Sequence, residues 1–449
     1  MAGEWTTVTL SDAPMEIIDG DRGTNYPKQQ DFAQSGHCLF LNAGNVTTTG
    51  FNFSDCAFIS AEKDSKLRKG KLMRHDIVLT TRGTVGNVAY YDESVPYDHI
   101  RINSGMVIFR AQPRKLHPRF LYLFLKSFLF RCQVESLRTG SAQPQLPIRD
   151  INRIDIPIPP LSEQQAIAHI LGTLDDKIEL NRQMNKTLEE MARAIFKSWF
   201  VDFDPVHAKA AVRREHPDWT NAQISRVAHL NLKPEIAELF PDSFDDSELG
   251  KIPKGWKDST VGQNFRLTMG QSPPGSTYNE NGEGIPFYQG RSDFGCRFPS
   301  RRVFCTAPTR FAEPGDTLVS VRAPVGDVNI ANERCAVGRG VAAILHCNGN
   351  KSFTYYSMKH LKDYFDKFEA EGTVFGSINK SDFENLPFTM PSSDVLESFE
   401  RIASPLDNRI KTNECESNNL SATRDALLPK LISGELRVVD LEKMEERYT

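Results

Sequence analysis

The sequence predicts an α+β fold: two similar mixed α/β globules separated by two long antiparallel coiled-coil helices, the whole a pseudo-two-fold tandem repeat. Three observations carry this. "LGTLDDKIELN" (171–181) returns as "ASPLDNRIKTN" (403–413), with Leu174, Asp175, Ile178 and Asn181 matched by Leu406, Asp407, Ile410 and Asn413, 232 residues on. "DIVLTTRGTVGNV" (76–88) returns as "DTLVSVRAPVGDV" (316–328), 240 residues on. Both 171–181 and 403–413 sit in stretches whose apolar residues step by three and four, the heptad period of a helix seam.

The elements follow in order. The first globule spans 1–156 and opens with "GEWTTVTL", echoed by "KGWKDSTV" at the front of the second, 251–388. β-branched runs around a Gly turn in 76–88 and 316–328 read as strand-turn-strand. "GRGVAA" (338–343), a superficial match to Gly-x-Gly-x-x-Ala, lies over "SGMVIF" (104–109) and reads as a strand. The proline-bearing "IPIPPL" and "FTMPSS" end extended segments and start helices. The first helical region is 157–204, its helix about 162–200, with Ser162 as N-cap beside Gln164 and Gln165. Its seam is Ile167, Leu171, Leu174, Ile178, Leu188, Ala192, Ile195 and Trp199, interrupted at Asn181 and Asn185. A linker covers 205–250.

The second helix and tail occupy 389–449, with the seam Phe399, Ala403, Leu406, Ile410, Asn413, Ser417, Leu420, Arg424, Leu427 and Leu431. Pro405 is expected to delay or kink this helix, Pro429 to kink or end it, and Gly434 to stop it. Arg424 departs from the apolar pattern. Antiparallel pairing sets centre against centre, so Asn181 and Asn185 face Asn413 and Ser417, a buried polar set that fixes register at a cost in stability. Ordinary amphipathic core helices are the alternative, but 39 residues at about 1.5 Å each make a rod of nearly 60 Å, more than a globule needs.

A chain of 449 residues, 39% apolar and 25% charged, is ordinary for a multidomain protein. The opening "MAGEWTTVTLSDAPMEIIDGDRG" shows no basic n-region or apolar stretch of signal-peptide length, and no later run approaches a bilayer span, so a cytoplasmic location and no membrane partner are expected. The eight cysteines are scattered, which disfavours disulfides or zinc. A net charge of −4 speaks against a stand-alone nucleic-acid binder, yet 62–75 and 297–310 are basic, and any DNA-facing surface is expected there.

Two modules related by an antiparallel helix pair share the symmetry of duplex DNA read at two half-sites, one turn being about 34 Å. Unequal loops on equal scaffolds then read an asymmetric target split in two. The chain resembles the specificity (S, HsdS-type) subunit of type I restriction-modification systems. The central "PIPPLSEQQAIAHILGTLDDKIELNRQMNKTLEEMARAIFKSWFVDFDPVHAKA" is similar to that family's central conserved region, and "ALLPKLISGE" with "LRVVD" to its C-terminal one. "TGSAQPQLP" and "GTVFGSIN" resemble the segments that close its target-recognition domains.

The resemblance covers essentially the whole chain and implies two target-recognition domains and a non-catalytic, DNA-binding subunit of a methyltransferase/endonuclease complex. It further implies two modification subunits that bring S-adenosylmethionine and methylate adenine N6, with two restriction subunits using ATP and Mg as an optional addition. No cofactor or metal is expected on this chain. Partner subunits closing around DNA can supply phosphate contacts, which reconciles the acidic balance.

Base edges are read by Arg on guanine, Asn or Gln on adenine, and hydroxyls or carboxylates elsewhere. Turns after strands offer Asn42 and Asn45, Arg82 and Thr84, Arg291, Ser292 and Asp293, and Arg322. The closing loops offer Gln143, Gln145, Ser377 and Asn379. Arg82 and Arg322, common to both halves, suit phosphate or scaffold contacts. The Asp/Asn-Pro-Pro-aromatic loop of adenine methyltransferases, a Gly-x4-Gly-Lys-Ser/Thr loop and a His-Glu-x-x-His helix are all missing from the sequence. The competing classes are a protein-protein scaffold and a self-sufficient methyltransferase or nuclease.

Overall fold

The β-branched runs form strands whose two faces are both covered, which is why they read as continuous apolar stretches rather than alternating ones. The computed structural model describes residues 5–137, 144–228, 232–370 and 376–438. It divides into one unit of Met1–Asn181 with Cys415–Thr449 and another of Arg182–Glu414.

In the first unit, Met15–Asp19, Met106–Ala111, Ile77–Thr80 and Val88–Tyr90 make a four-stranded antiparallel sheet in that order. A second sheet sets Cys38–Leu41 between Phe58–Ile59 and a parallel neighbour, Ile100–Ile102. Ile77, Leu79, Val107 and Phe109 join the cluster of Phe120, Leu121, Phe124 and Phe130 from helices Pro118–Lys126 and Phe128–Leu137. The intervening Val78, Met106 and Ile108 join that of Leu39, Leu41 and Ile102. Each fully buried side chain contributes roughly 1.5–3 kcal/mol. Thr6–Thr9 pairs antiparallel with Asp155–Ile158 and closes the globule at the foot of the central helix.

The second unit repeats this plan. Its four-stranded sheet is Phe265–Met269, Val341–His346, Thr317–Ser320 and Val328–Ile330. Ile285–Tyr288 and Cys335–Val337 are its parallel pair, here inside a five-stranded sheet, and Lys257–Thr260 with Pro387–Met390 close it. The ladders put Met106 opposite Thr80 and Val341 opposite Ser320. The alignment of 338–343 with 104–109 is therefore one residue out of register: Val341, not Gly340, takes the place of Met106.

The shared aspartates do the same local job in different company. Asp76 accepts the Met73 N–H at 2.7 Å and pairs with Arg110 at 2.6 Å. Asp316 accepts the Glu313 N–H at 2.8 Å, but the position of Arg110 is held by Leu345, and burial pushes its carboxyl above the usual range.

The stretch expected as a linker, 205–250, is folded and belongs to the second unit. It holds helices Asp204–Glu215, Asn221–Val227 and Pro234–Ala237, then strand Phe244–Ser247, which begins a hairpin with Gly250–Pro253. Phe240 and Trp256 pack with Trp199 at the end of the central helix. The buried Lys209 donates to the Ala237 carbonyl at 2.9 Å and the Phe240 carbonyl at 2.5 Å, at and just beyond the end of helix Pro234–Ala237. An acidic, proline-bearing composition concealed these anchors.

The central helix runs Leu161–Phe200 and the C-terminal helix Ser393–Ser433. Ser162 is not the cap. The Pro160 carbonyl accepts from Glu163 and Gln164, and Gln164 bonds the His117 N–H and the Pro159 carbonyl, both at 2.8 Å. Pro405 and Pro429 neither delay nor end the second helix. Each removes one N–H, worth about 3 kcal/mol in an unsupported helix, but Ala403, Ile410, Leu428, Leu431 and Ile432 are buried on either side and hold the segment. Gly434, at φ +76°, ends it.

Within the first unit the two helices exchange Asp175–Arg424 and Lys177–Glu416 pairs, Arg437 beyond the end of the second helix pairs with Glu163, and Asn181 donates to Glu416 at 2.9 Å and Ser417 at 3.3 Å. Residue numbers fall on one helix as they rise on the other. Within the second unit Asn413 donates to Asn185 at 2.8 Å, and Phe196 and Trp199 meet Phe399. Arg424, the break in the apolar seam, donates to Asp175 at 2.7 Å.

Candidate nucleic-acid interface

Three loops meet at one edge of each unit. In the first, the turn after Cys38–Leu41 reaches the turn after Ile77–Thr80 through Asn87, whose amide donates to the Val46 carbonyl at 3.0 Å. Arg82 of that second turn forms a backbone bridge with Gln145 of the closing loop, and the Leu146 N–H donates to the Thr81 carbonyl at 3.0 Å. In the second unit, Arg291 donates to Asp327 at 2.5 Å, Arg322 bridges Ser377, and the Ile378 N–H donates to the Val321 carbonyl at 3.1 Å. Asn87 and Asp327 are equivalent positions, so one residue per half ties the same two loops with different chemistry. Neither is among the residues expected from sequence to face DNA; the signal in the sequence is a shared position with an unshared side chain.

The selected residues divide by what already holds them. Asn45 is 2% exposed, accepts the Asn42 N–H, and donates to the Asn52 and Asp55 carbonyls at 3.0 and 2.7 Å. Asp293 is 3% exposed and accepts from the Gln289 N–H at 2.6 Å and from Arg302 at 2.5 Å. These two build their turns and present no free edge, which corrects their selection as readers. Asn379 caps helix Lys380–Glu384 through the Asp382 N–H at 2.9 Å and also donates to its carboxylate.

Asn42 uses only its oxygen, accepting from the Gly44 N–H at 2.8 Å. It stays exposed, as do Arg82, Thr84, Gln145, Arg291, Ser292, Arg322 and Ser377. Arg302 donates to the Ser292 hydroxyl at 3.3 Å. Gln143 lies outside the described residues.

The basic stretches are less available than their composition suggests. Lys63 pairs with Asp31 at 2.9 Å, Lys66 with Glu62 at 2.5 Å, Lys71 with Asp64 at 2.6 Å and Arg74 with Asp98 at 2.8 Å. Arg101 also pairs with Asp64, at 2.5 Å and buried. Arg68 and Lys69 remain exposed, their N–H groups held by Asp21. Burial works against the Asp21 carboxylate, but the N–H groups of Gly23, Arg68 and Lys69 outweigh it and hold the group below the usual range. In 297–310, Arg297 is buried, Arg301 pairs with Glu333 and Arg302 with Asp293. Charge counted along a sequence misses such partners.

Among the described residues no group of three or more His, Cys, Asp or Glu side chains is placed to hold a metal, and no helix is long and apolar enough to cross a membrane. The arrangement offers donors and acceptors on exposed turns, the equipment of groove-edge contact.

The family described as "Type I restriction modification DNA specificity domain" matches residues 3–190 and again 253–422. A putative type I restriction enzyme MjaX specificity subunit of Methanocaldococcus jannaschii is 26% identical over 408 residues, covering 88% of this chain and 86% of the relative. The type I restriction enzyme HindI specificity subunit of Haemophilus influenzae is 26% identical over 463 aligned positions, covering 93% and 98%. The crystal structure of the type I restriction-modification system S subunit from M. genitalium superposes with a TM-score of 0.59 at 17% identity, covering 96% of both chains, a likeness of fold.

Proposed function

The chain belongs to the family of type I restriction modification DNA specificity domains, and from that premise we propose that it is the specificity subunit of such a system. It reads a bipartite, asymmetric duplex target, one half with each unit. The observation that carries this reading is the repeated three-loop edge: one scaffold, built twice, presenting Asn42, Arg82, Thr84 and Gln145 in one copy and Arg291, Ser292, Arg322 and Ser377 in the other. Equal frames with unequal exposed groups suit two unequal base sequences. Exposed Arg82 and Arg322 supply backbone or shared contacts.

The two helices act as an antiparallel coiled coil that sets the non-specific spacer, with Asn181, Asn185, Asn413 and Ser417 fixing its register. The continuity of each helix over about 40 residues and the amide contacts above support this role. The subunit itself is non-catalytic. Two modification subunits bind it and bring S-adenosylmethionine for adenine N6 methylation, and restriction subunits bring ATP and Mg. Co-expression with modification subunits followed by genome-wide mapping of N6-methyladenine tests the proposal. A split motif with a constant spacer is expected. Methylation by the chain alone, or a complex without sequence preference, overturns it.

A further inference from the structure

We propose that Arg297 is a positioning residue for the second unit: it fastens the loop bearing Arg291 and Ser292 to the long helices and thereby aims that loop at its half of the target. The inference rests on the reading above that these loops face DNA.

Arg297 is 1% exposed, although it lies in the loop between Gln289 and Arg302. Its guanidinium pairs with Asp407 of the C-terminal helix through a short contact and stands 3.4 Å from Glu189 of the central helix. It lies 4.2 Å from the centre of the Tyr355 ring and 3.4 Å from the Tyr356 hydroxyl, which donates to Asp407 at 3.1 Å. Lys359 pairs with Glu189 on the far side. Burial pushes the Asp407 carboxyl up against the pull of Arg297, while Lys359 and Arg297 outweigh burial at Glu189 and hold it down.

The loop is stiff around this pin. The Arg297 carbonyl accepts the Ile330 N–H at 2.9 Å, Asn329 donates to the Gly295 carbonyl at 3.1 Å, and the Ser300 N–H returns to the Asp293 carbonyl at 2.8 Å. A hydrophobic side chain of similar volume fills such a space at a lower desolvation cost, so stability alone is a poor reason for a buried arginine. A planar fork between two carboxylates fixes direction as well as distance, which a loop that must present Arg291 and Ser292 requires.

Among the described residues the first unit has no counterpart. Its corresponding loop is held internally by Asn45 on Asn52 and Asp55, and Thr49 stands where the matching turn pairs, Val46 with Phe51 and Phe294 with Pro299, place Arg297. The pin therefore predicts an effect on one half of the target only.

The test uses the full complex with modification subunits on DNA libraries randomised in one half of the target at a time, read by methylation. Arg297→Lys keeps the charge and loses the fork; Tyr356→Phe removes one hydroxyl; Arg297→Met with Asp407→Asn leaves no carboxylate stranded, since Glu189 retains Lys359. We expect discrimination in one half to fall about tenfold for Arg297→Met with Asp407→Asn, on the scale of one mismatched base pair. Tyr356→Phe and Arg297→Lys should lose less, and the other half should be unchanged. Hydrogen exchange at Thr317–Ser320 reports that the second unit is folded, and Tyr356→Phe keeps the test open if the bulkier changes unfold it. Unchanged discrimination in folded variants, or equal loss in both halves, overturns the inference. A wild-type complex that selects no split sequence overturns the DNA reading and this inference with it.

Discussion

Arg424 is the one charge in the seam of the C-terminal helix, and exchanging it tests whether Asp175 is the reason. Its guanidinium donates to Asp175 at 2.7 Å and to the neighbouring Asp425, which is mostly exposed. Burial works against its charge, yet the two aspartates hold it above the ordinary value. Side chains of Asp175 and Arg424 are each 21% exposed, so neither the surface nor the deep-interior limit applies. At about 4 Å and an effective dielectric near 20, the gross attraction is about 4 kcal/mol. Desolvation and side-chain ordering reduce the net coupling to about 1–2 kcal/mol.

Arg424→Ala should therefore destabilise the first unit by about 2 kcal/mol, through the lost pair and the lost aliphatic stem. Arg424→Leu should fall within about 1 kcal/mol of wild type, because a leucine beside Leu427, Leu428 and Leu171 regains about 1.5 kcal/mol of burial. A double-mutant cycle of Arg424→Ala with Asp175→Asn, followed in urea by hydrogen exchange at Ile77–Thr80 and Met106–Ala111, isolates the pair. A coupling below about 0.3 kcal/mol, or a loss above about 3 kcal/mol in Arg424→Leu, refutes the reasoning.

Three further predictions use other parts of the molecule. Gly86 and Gly326 hold the same turn at φ +95° and +84°, but a Cβ at Gly86 meets only Val134 at 3.9 Å whereas one at Gly326 stands 2.4 Å from Phe365; Gly86→Ala should cost about 1 kcal/mol and Gly326→Ala more than about 3 in urea midpoints, and equal costs would contradict this. Burial lowers the Lys209 ammonium to about 8, so the folded state binds its proton less tightly than the unfolded chain does; second-unit stability should gain a rising contribution from about pH 8 towards 10.5 that Lys209→Met lacks, and identical pH profiles would exclude it. Lengthening the central helix by about one turn between Asn185 and Leu188 adds about 5.4 Å, one to two base pairs, to the spacer of the methylated motif; an unchanged spacer in methylome sequencing would defeat the ruler.

Periodicity and recurrence made the large features legible. A seam stepping by three and four announces a helix because every turn must bury the same face, and the returning Gly86/Gly326 announces duplication because the same turn imposes the same residue. Caps and interruptions read poorly. Ser162 had the chemistry of a cap but Pro160 had the position, and Pro405 and Pro429 were tolerated by packing that lies hundreds of residues away in the chain. The candidate interface was legible as regions and not as atoms: Asn42 and Asn45 are the same residue type three apart, and only one amide is consumed by carbonyls at Asn52 and Asp55.

By itself the sequence determined the duplicated architecture, the two long helices and the mid-seam amides, because these follow from local period and from comparing the chain with itself. Tertiary structure decided which polar groups remain free. A carboxylate or guanidinium carries no mark of its partner, so that Arg297 is a buried pin, Asp293 a turn-builder and 205–250 a folded element emerges only when distant residues are brought within hydrogen-bond reach.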